Sequence, residues 1–334
     1  MSADASSLLA SGSTVGARLA WERSSHVQSH RVIRLYFDYV IPFWLSIGVL
    51  SLCQGLVVAL PRAWSPAWMA RLHSRLWALV PALSVIGFVA IGLVAERASA
   101  QALTYIALVG VPLLAVLALG WLMHGARPGL ALLVVPLFVL AWADRGGLPG
   151  QGAAVALSAL SCVALGALIA GVTPVRWLAL GIVAMAVADS ALVISDLLQA
   201  PNNALNVAQP VVGLPRLQSE LFGSAVMGYG DLFVAGVLGG LLAATGARAR
   251  QSRGALLAAL LAIAFDMLFF AVDELPATVP VAAALVILLK IGSPSGRSSS
   301  AKACEASGRG LASTGAGALS SRSDLAPASS TRRN

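Results

Sequence analysis

Long apolar runs, separated by short polar connections, make up most of the chain. Nine of them follow one another, at roughly 36–60, 76–95, 102–123, 129–143, 153–172, 177–198, 221–245, 255–271 and 276–290. An α-helix needs ~20 apolar residues to cross the hydrocarbon of a bilayer. The fourth, eighth and ninth runs are short, and the last two can form one hairpin with a tight turn at Val272–Leu275. The pattern predicts an all-α, polytopic helical membrane protein of about nine transmembrane helices. Residues 1–35 are polar and Ser-rich and read as a tail before a membrane domain over 36–290. Residues 291–334 hold twelve Ser among many Gly and Ala. That stretch cannot bury a core and is expected to be disordered. No internal repeat is apparent.

Composition agrees with this reading. Of the 334 residues, 58% are apolar and 11% charged, with 32 Gly, and mean hydropathy is +0.84. Soluble domains average ~45–50% apolar and ~25% charged residues. A soluble enzyme, a disordered chain and a disulfide-stapled secreted domain are all excluded on that ground. Net charge is +8, but no long block of like charge exists, so nucleic acid is not an expected partner. Twenty basic residues are Arg and two are Lys. That bias hints at a GC-rich genome, and the expected location is the cytoplasmic membrane of a prokaryote. Cys53, Cys162 and Cys304 are far apart and form no CxxC pair. His26, His30, His73 and His124 lie in tails or at segment ends. There is no HExxH zinc motif, and no His inside an apolar run to serve a Ser nucleophile.

Basic residues are unevenly placed. The connections after segments one, three, five and seven carry Arg62, Arg71, Arg75, Arg127, Arg176, Arg248, Arg250 and Arg253. The other side carries Arg97, Arg145, Arg216 and four Arg of the N-terminal tail. The positive-inside rule then favours an outer N-terminus and an inner C-terminus.

Five acids interrupt the apolar runs: Asp38, Asp189, Asp196, Asp231 and Asp266. An ionisable side chain at bilayer depth costs ~2.5–3.5 kcal/mol or more, so each is a candidate for function. Asp38, beside Tyr36 and Tyr39, reads as an interface residue. Asp266 either lines a cavity or pairs with a neighbouring helix. Asp189 is nine residues from the end of segment six, about 14 Å deep at 1.5 Å per residue. Asp231 is ten residues into segment seven from the same side, about 15 Å deep. The two carboxyls are expected at one level on adjacent helices, with Asp196 at the rim above Asp189.

Two carboxyls at one depth in a low dielectric cannot both ionise cheaply, and they share a proton. The pair then supplies a base and an acid together. One carboxylate takes a proton from water while its protonated partner polarises a carbonyl. No metal, cofactor or covalent intermediate is required. Around Asp231 the chain reads Gly228-Tyr229-Gly230-Asp231, a GxGD string whose glycines clear side chains from beside the acid. Gly236 and Gly240 form a GxxxG further along, read as plain helix packing. Segment nine opens with Leu275-Pro276-Ala277-Thr278-Val279-Pro280. Its two prolines disfavour helix at the preceding residues, and irregular backbone in a membrane is tolerated where it lines a cavity. This turn falls on the side of the loop that joins the acid-bearing helices.

Together these strings resemble the GxGD intramembrane aspartyl proteases, presenilin and signal peptide peptidase. That family has nine spans, a Tyr-Asp on the sixth, GxGD on the seventh and Pro-Ala-Leu at the ninth. The counterparts here are Ala188-Asp189, Gly228–Asp231 and Pro276-Ala277-Thr278, within a catalytic part spanning 177–290. Ala188 stands where the family has Tyr, and Thr278 where it has Leu. Prepilin peptidases also carry GxGD, but they resemble this chain less. Phe233 stands where they have Lys, and their CxxC pairs are missing.

The resemblance implies catalytic Asp189 and Asp231, supported by Gly228, Tyr229, Gly230, Pro276, Ala277 and Thr278. Substrates would be transmembrane helices or signal peptides, met within the bilayer. The polar connection 199–220 or the Pro276–Pro280 stretch would hold unwound substrate. An ion- or proton-coupled transporter using the same buried acids is the alternative.

Overall fold

The computed structural model describes residues 43–210, 213–271 and 275–291. Asp38, both tails and most of the turn expected at Val272–Leu275 lie outside them. Apart from one short hairpin the described fold is all helical. Helix α1 spans Phe43–Ala59. A short 3₁₀ entry, Arg75–Leu79, leads into α2 (Val80–Val94), and α3 (Glu96–Leu117) runs on through a π turn to Leu122. Helix α4 (Val134–Ala143) is preceded by a 3₁₀ stretch from Pro128. Helices α5 (Leu148–Val172) and α6 (Val175–Ile194) follow, then the short α7 (Gln199–Val207). Strands β1 (Ser219–Phe222) and β2 (Ala225–Gly228) form an antiparallel pair. Helix α8 is Tyr229–Ala244, α9 is Arg248–Asp266 with a 3₁₀ extension to Phe270, and α10 is Val279–Ile291.

Among the described residues, five helical stretches are long and apolar enough to cross a membrane: 75–94, 96–122, 148–172, 175–194 and 248–270. The helices at 43–59, 128–143, 229–244 and 279–291 are apolar but shorter. Large apolar side chains such as Leu83, Ile106, Leu132 and Leu260 point outward. A water-soluble surface rarely carries so much apolar area, whereas lipid tails cover it at no penalty. The fold is that of a helical membrane protein.

At its centre α5 packs against α8. Twelve consecutive residues of α8, Leu232–Ala243, are buried. Close approach depends on small residues. A Cβ on Gly166 would strike the carbonyl of Gly236, and one on Gly236 would strike that of Cys162. A Cβ on Gly240 would in turn strike the carbonyl of Gly166. The Gly236–Gly240 pair therefore serves helix packing, as its spacing suggests.

Several segment boundaries differ from the hydropathy reading, and two of them matter for the site. Segment six ends at Ile194, four residues before Leu198, in an αL cap. Asp196 sits there at φ 58, with Asp196 N–H on Val193 O and Leu197 N–H on Leu192 O. Segment seven begins at Tyr229 and not at Leu221. Its first eight residues, 221–228, belong to the hairpin, which reverses at Gly223-Ser224 with Gly223 at φ 60. Gln151 on α5 holds the tip through Oε1, which accepts from the Gly223 N–H at 2.8 Å.

Candidate functional site

The revised boundaries change the depth of both acids. Asp189 is five residues from the end of α6, about 8 Å along the axis, and Asp231 lies in the first turn of α8, about 3 Å in. Both sit near the same end of packed helices, under the hairpin, and not at mid-helix. Gly230 faces Met185, one turn before Asp189. The two carboxyls lie within each other's electrostatic reach. Asp189 is 6% exposed; Asp231 is half-buried.

Local structure explains why Asp231 points where it does. Gly228 ends β2 and caps α8, and its N–H donates to Asp231 Oδ2 at 3.2 Å. That is the N3 half of a capping box, which suits an acid at the positive end of a helix. A Cβ on Gly228 would sit 3.1 Å from the same oxygen. Glycine there leaves the carboxyl uncrowded. Tyr229 turns the other way, its hydroxyl 2.7 Å from Ser161 Oγ on α5, and so anchors the start of α8.

The proline-bounded turn reaches the site directly. Thr278 Oγ1 donates to Asp189 Oδ2 at 2.6 Å, buried. Thr278 O accepts the first helical bond of α10 from Ala282 N–H, and Pro280 falls in the first turn, where its missing N–H leaves no bond unmade. Thr278 thus supplies a hydroxyl to the carboxyl. Pro276 accepts from Val279 N–H. The Ala277 carbonyl accepts from Gln54 Nε2 at 3.1 Å.

Gln54 was not among the residues singled out from the sequence. It is fully buried on α1, and the same Nε2 lies 3.4 Å from the Asp231 carbonyl. One amide therefore ties the GxGD turn to the Pro276–Thr278 turn. Its signal was available, because a Gln inside the apolar run Leu50–Leu60 is costly unless partnered. Asp266 is resolved the same way: Ser51 Oγ, one turn before Gln54, donates to Asp266 Oδ2 at 2.5 Å. It pairs with a neighbouring helix, the second of its two readings. Asp196 is exposed in the helix cap, at the rim.

Glu220, just before the apolar run that begins at Leu221, carries no signal in the hydropathy pattern. It lies on the buried face of β1, opposite Met227, at 1% exposure, and neither carboxyl oxygen has a hydrogen-bond partner among the described residues. Burial, reinforced by the neighbouring Asp231, pushes its carboxyl up to about 8 from 4.5. Between those values the folded chain holds a proton that the unfolded chain has released. Stability therefore falls as pH rises from about 4.5 to about 8, and this contribution is flat above. Glu220→Gln removes that titration, so its melting temperature is expected to fall less steeply than the parent's between about pH 5 and about pH 8. Melting curves in one detergent at fixed salt check this. Parallel curves for the two proteins would contradict it.

No family model, curated protein or solved structure matches the chain.

Proposed function

We propose that this chain is an intramembrane aspartyl endopeptidase of the presenilin and signal-peptide-peptidase kind, a nine-span protein cutting transmembrane helices or signal peptides. One observation carries the reading: Asp189 and Asp231 converge from adjacent helices, with the Thr278 hydroxyl bound to one of them. One carboxylate takes a proton from water as the water oxygen bonds to the scissile carbonyl carbon. The other, protonated, donates to the carbonyl oxygen. The C–N bond then breaks as the amine nitrogen takes up a proton. Thr278 orients Asp189, and Gly228 keeps room beside Asp231.

A helix hides its peptide groups, so substrate must unwind first. Strand β2 offers a place for this. Its edge away from β1 carries no strand among the described residues, and it leads directly into Asp231. An extended stretch of substrate added to that edge lies beside the carboxyls. With the Arg-rich helix ends in the cytoplasm of a prokaryote, the site faces the outer side of the membrane.

Purified protein in lipid vesicles is expected to cut a membrane-spanning peptide, and a transition-state-mimicking aspartyl protease inhibitor to stop it. Ion flux without cleavage would replace this reading with the transporter. Thr278→Val is expected to lower kcat about tenfold or more with KM little changed, because it leaves a buried carboxyl oxygen short of a donor. Thr278→Ser is expected to restore most of the rate. Undiminished kcat in Thr278→Val would remove this residue from the mechanism.

A further inference from the structure

At the helix ends opposite Asp189 and Asp231, a cavity of about 620 Å³ opens between the α1–α2 connection, α5, α6 and α8. We propose that it binds the phosphate of an anionic membrane phospholipid. Arg62, His73, Thr173 and Val175 line it on the polar side, and Ala170 and Gly240 on the apolar side.

Three features point to an anion. The 20-residue α6 begins there: Pro174 is its N-cap and provides no side-chain cap, so the first-turn N–H groups are left for a ligand. Thr173 Oγ1 is buried at 1% exposure and has no hydrogen-bond partner among the described residues. A hydroxyl in that state is either a liability or half of a binding site. Arg62 and His73, both exposed, add donors at the cavity wall. The surrounding charge agrees. Arg71, Arg75, Arg127, Arg176, Arg248, Arg250 and Arg253 lie in or beside connections at this end. The described acids, Glu96, Asp144, Asp189, Asp196, Glu220, Asp231 and Asp266, all belong to the opposite helix ends.

The source of the phosphate follows from where the cavity lies. Trp68, Trp77 and Trp177 are exposed at this level. Trp64 and Trp68 meet edge-on at 6.0 Å, and the Arg75 guanidinium lies 5.9 Å over Trp177. Exposed Trp and Arg at the ends of apolar helices mark the membrane–water boundary. The cavity therefore opens at headgroup level, and its small apolar wall takes the glycerol end of a lipid. Basic pockets between helices on the cytoplasmic side suit such headgroups.

The test uses the full chain in detergent, with melting temperature and native mass spectrometry as readouts. Phosphatidylglycerol is expected to raise the melting temperature and stay bound in the gas phase. Phosphatidylcholine and inorganic phosphate at equal concentration are expected to do neither. Arg62→Gln and Thr173→Val are each expected to weaken phosphatidylglycerol binding about tenfold or more. Their lipid-free melting temperatures should be no lower than the parent's, since one residue is exposed and the other change removes an unpaired hydroxyl. Equal binding of the two lipids, phosphatidylglycerol binding unchanged in both variants, or inorganic phosphate binding as tightly as phosphatidylglycerol would each overturn the proposal. Neither readout depends on peptide cleavage.

Discussion

Asp189→Asn and Asp231→Asn are each expected to lower peptide cleavage in lipid vesicles by about a thousandfold or more, with folding intact. Asn keeps the shape of Asp. At position 189 it still accepts from Thr278 Oγ1, and at 231 it still accepts from the Gly228 N–H. What it loses is the ability to take up and release a proton, which the proposed chemistry asks of both residues. Because the pair acts as a unit, the double variant should be scarcely slower than either single one. Asp266→Asn and Asp196→Asn make informative controls. The first acid is engaged by Ser51, and the second caps α6 in the open, so both variants should cut at near the parent rate. A single Asn variant at 189 or 231 that keeps more than about a tenth of the rate would break the two-acid reading.

Helices were legible in the sequence because apolar length is a coarse signal. The boundaries that place the acids were not, because a hydropathy window averages over them. Leu221-Phe222 and Ala225-Val226-Met227 are as apolar as the helix that follows, so the hairpin was absorbed into segment seven. A finer cue was present in Gly223-Ser224, a two-residue turn signal between two short runs. Once β1 and β2 are separated from α8, Asp231 moves from mid-helix to a helix N-terminus. Its nearness to Asp189 survives, because Asp189 also lies closer to its helix end than the run to Leu198 suggested. Gln54 and Glu220 were missed for a shared reason. Gln54 is a neutral amide within an apolar run, and Glu220 is an acid just outside the edge of one, so neither stands out as a charge at depth. Three-dimensional pairing gives both their meaning: Gln54 spans two turns distant in sequence, and Glu220 occupies the buried face of a strand too short to show its alternation.

The second large effect is expected at the α5–α8 crossing, where Gly236 lies about 8 Å along α8 from Asp231. Gly236→Leu is expected to yield no folded protein, and Gly166→Ala and Gly236→Ala to lower the melting temperature in detergent clearly. The clash is with backbone, not with a side chain that can rotate away: the Cys162 carbonyl at Gly236 and the Gly236 carbonyl at Gly166. Relief requires the helices to separate. Ordinary overpacking of a core costs ~1–3 kcal/mol, and here the contacts along twelve buried residues of α8 are strained as well. Gly110→Ala is the matched control, since a Cβ there meets nothing within 4 Å and a helical Ala is favoured over Gly by ~1 kcal/mol. Its melting temperature should hold or rise. The Ala variants that remain folded carry a second consequence. Pushing α8 off α5 shifts Asp231 against Asp189, and a displacement of about 1 Å at a reacting group lowers rate ~100-fold. Gly236→Ala should therefore lose cleavage well beyond its loss of folded protein, whereas Gly110→Ala loses neither. If the rate per folded molecule were the same in Gly236→Ala and the parent, the crossing would hold the fold together without setting the geometry of the two acids.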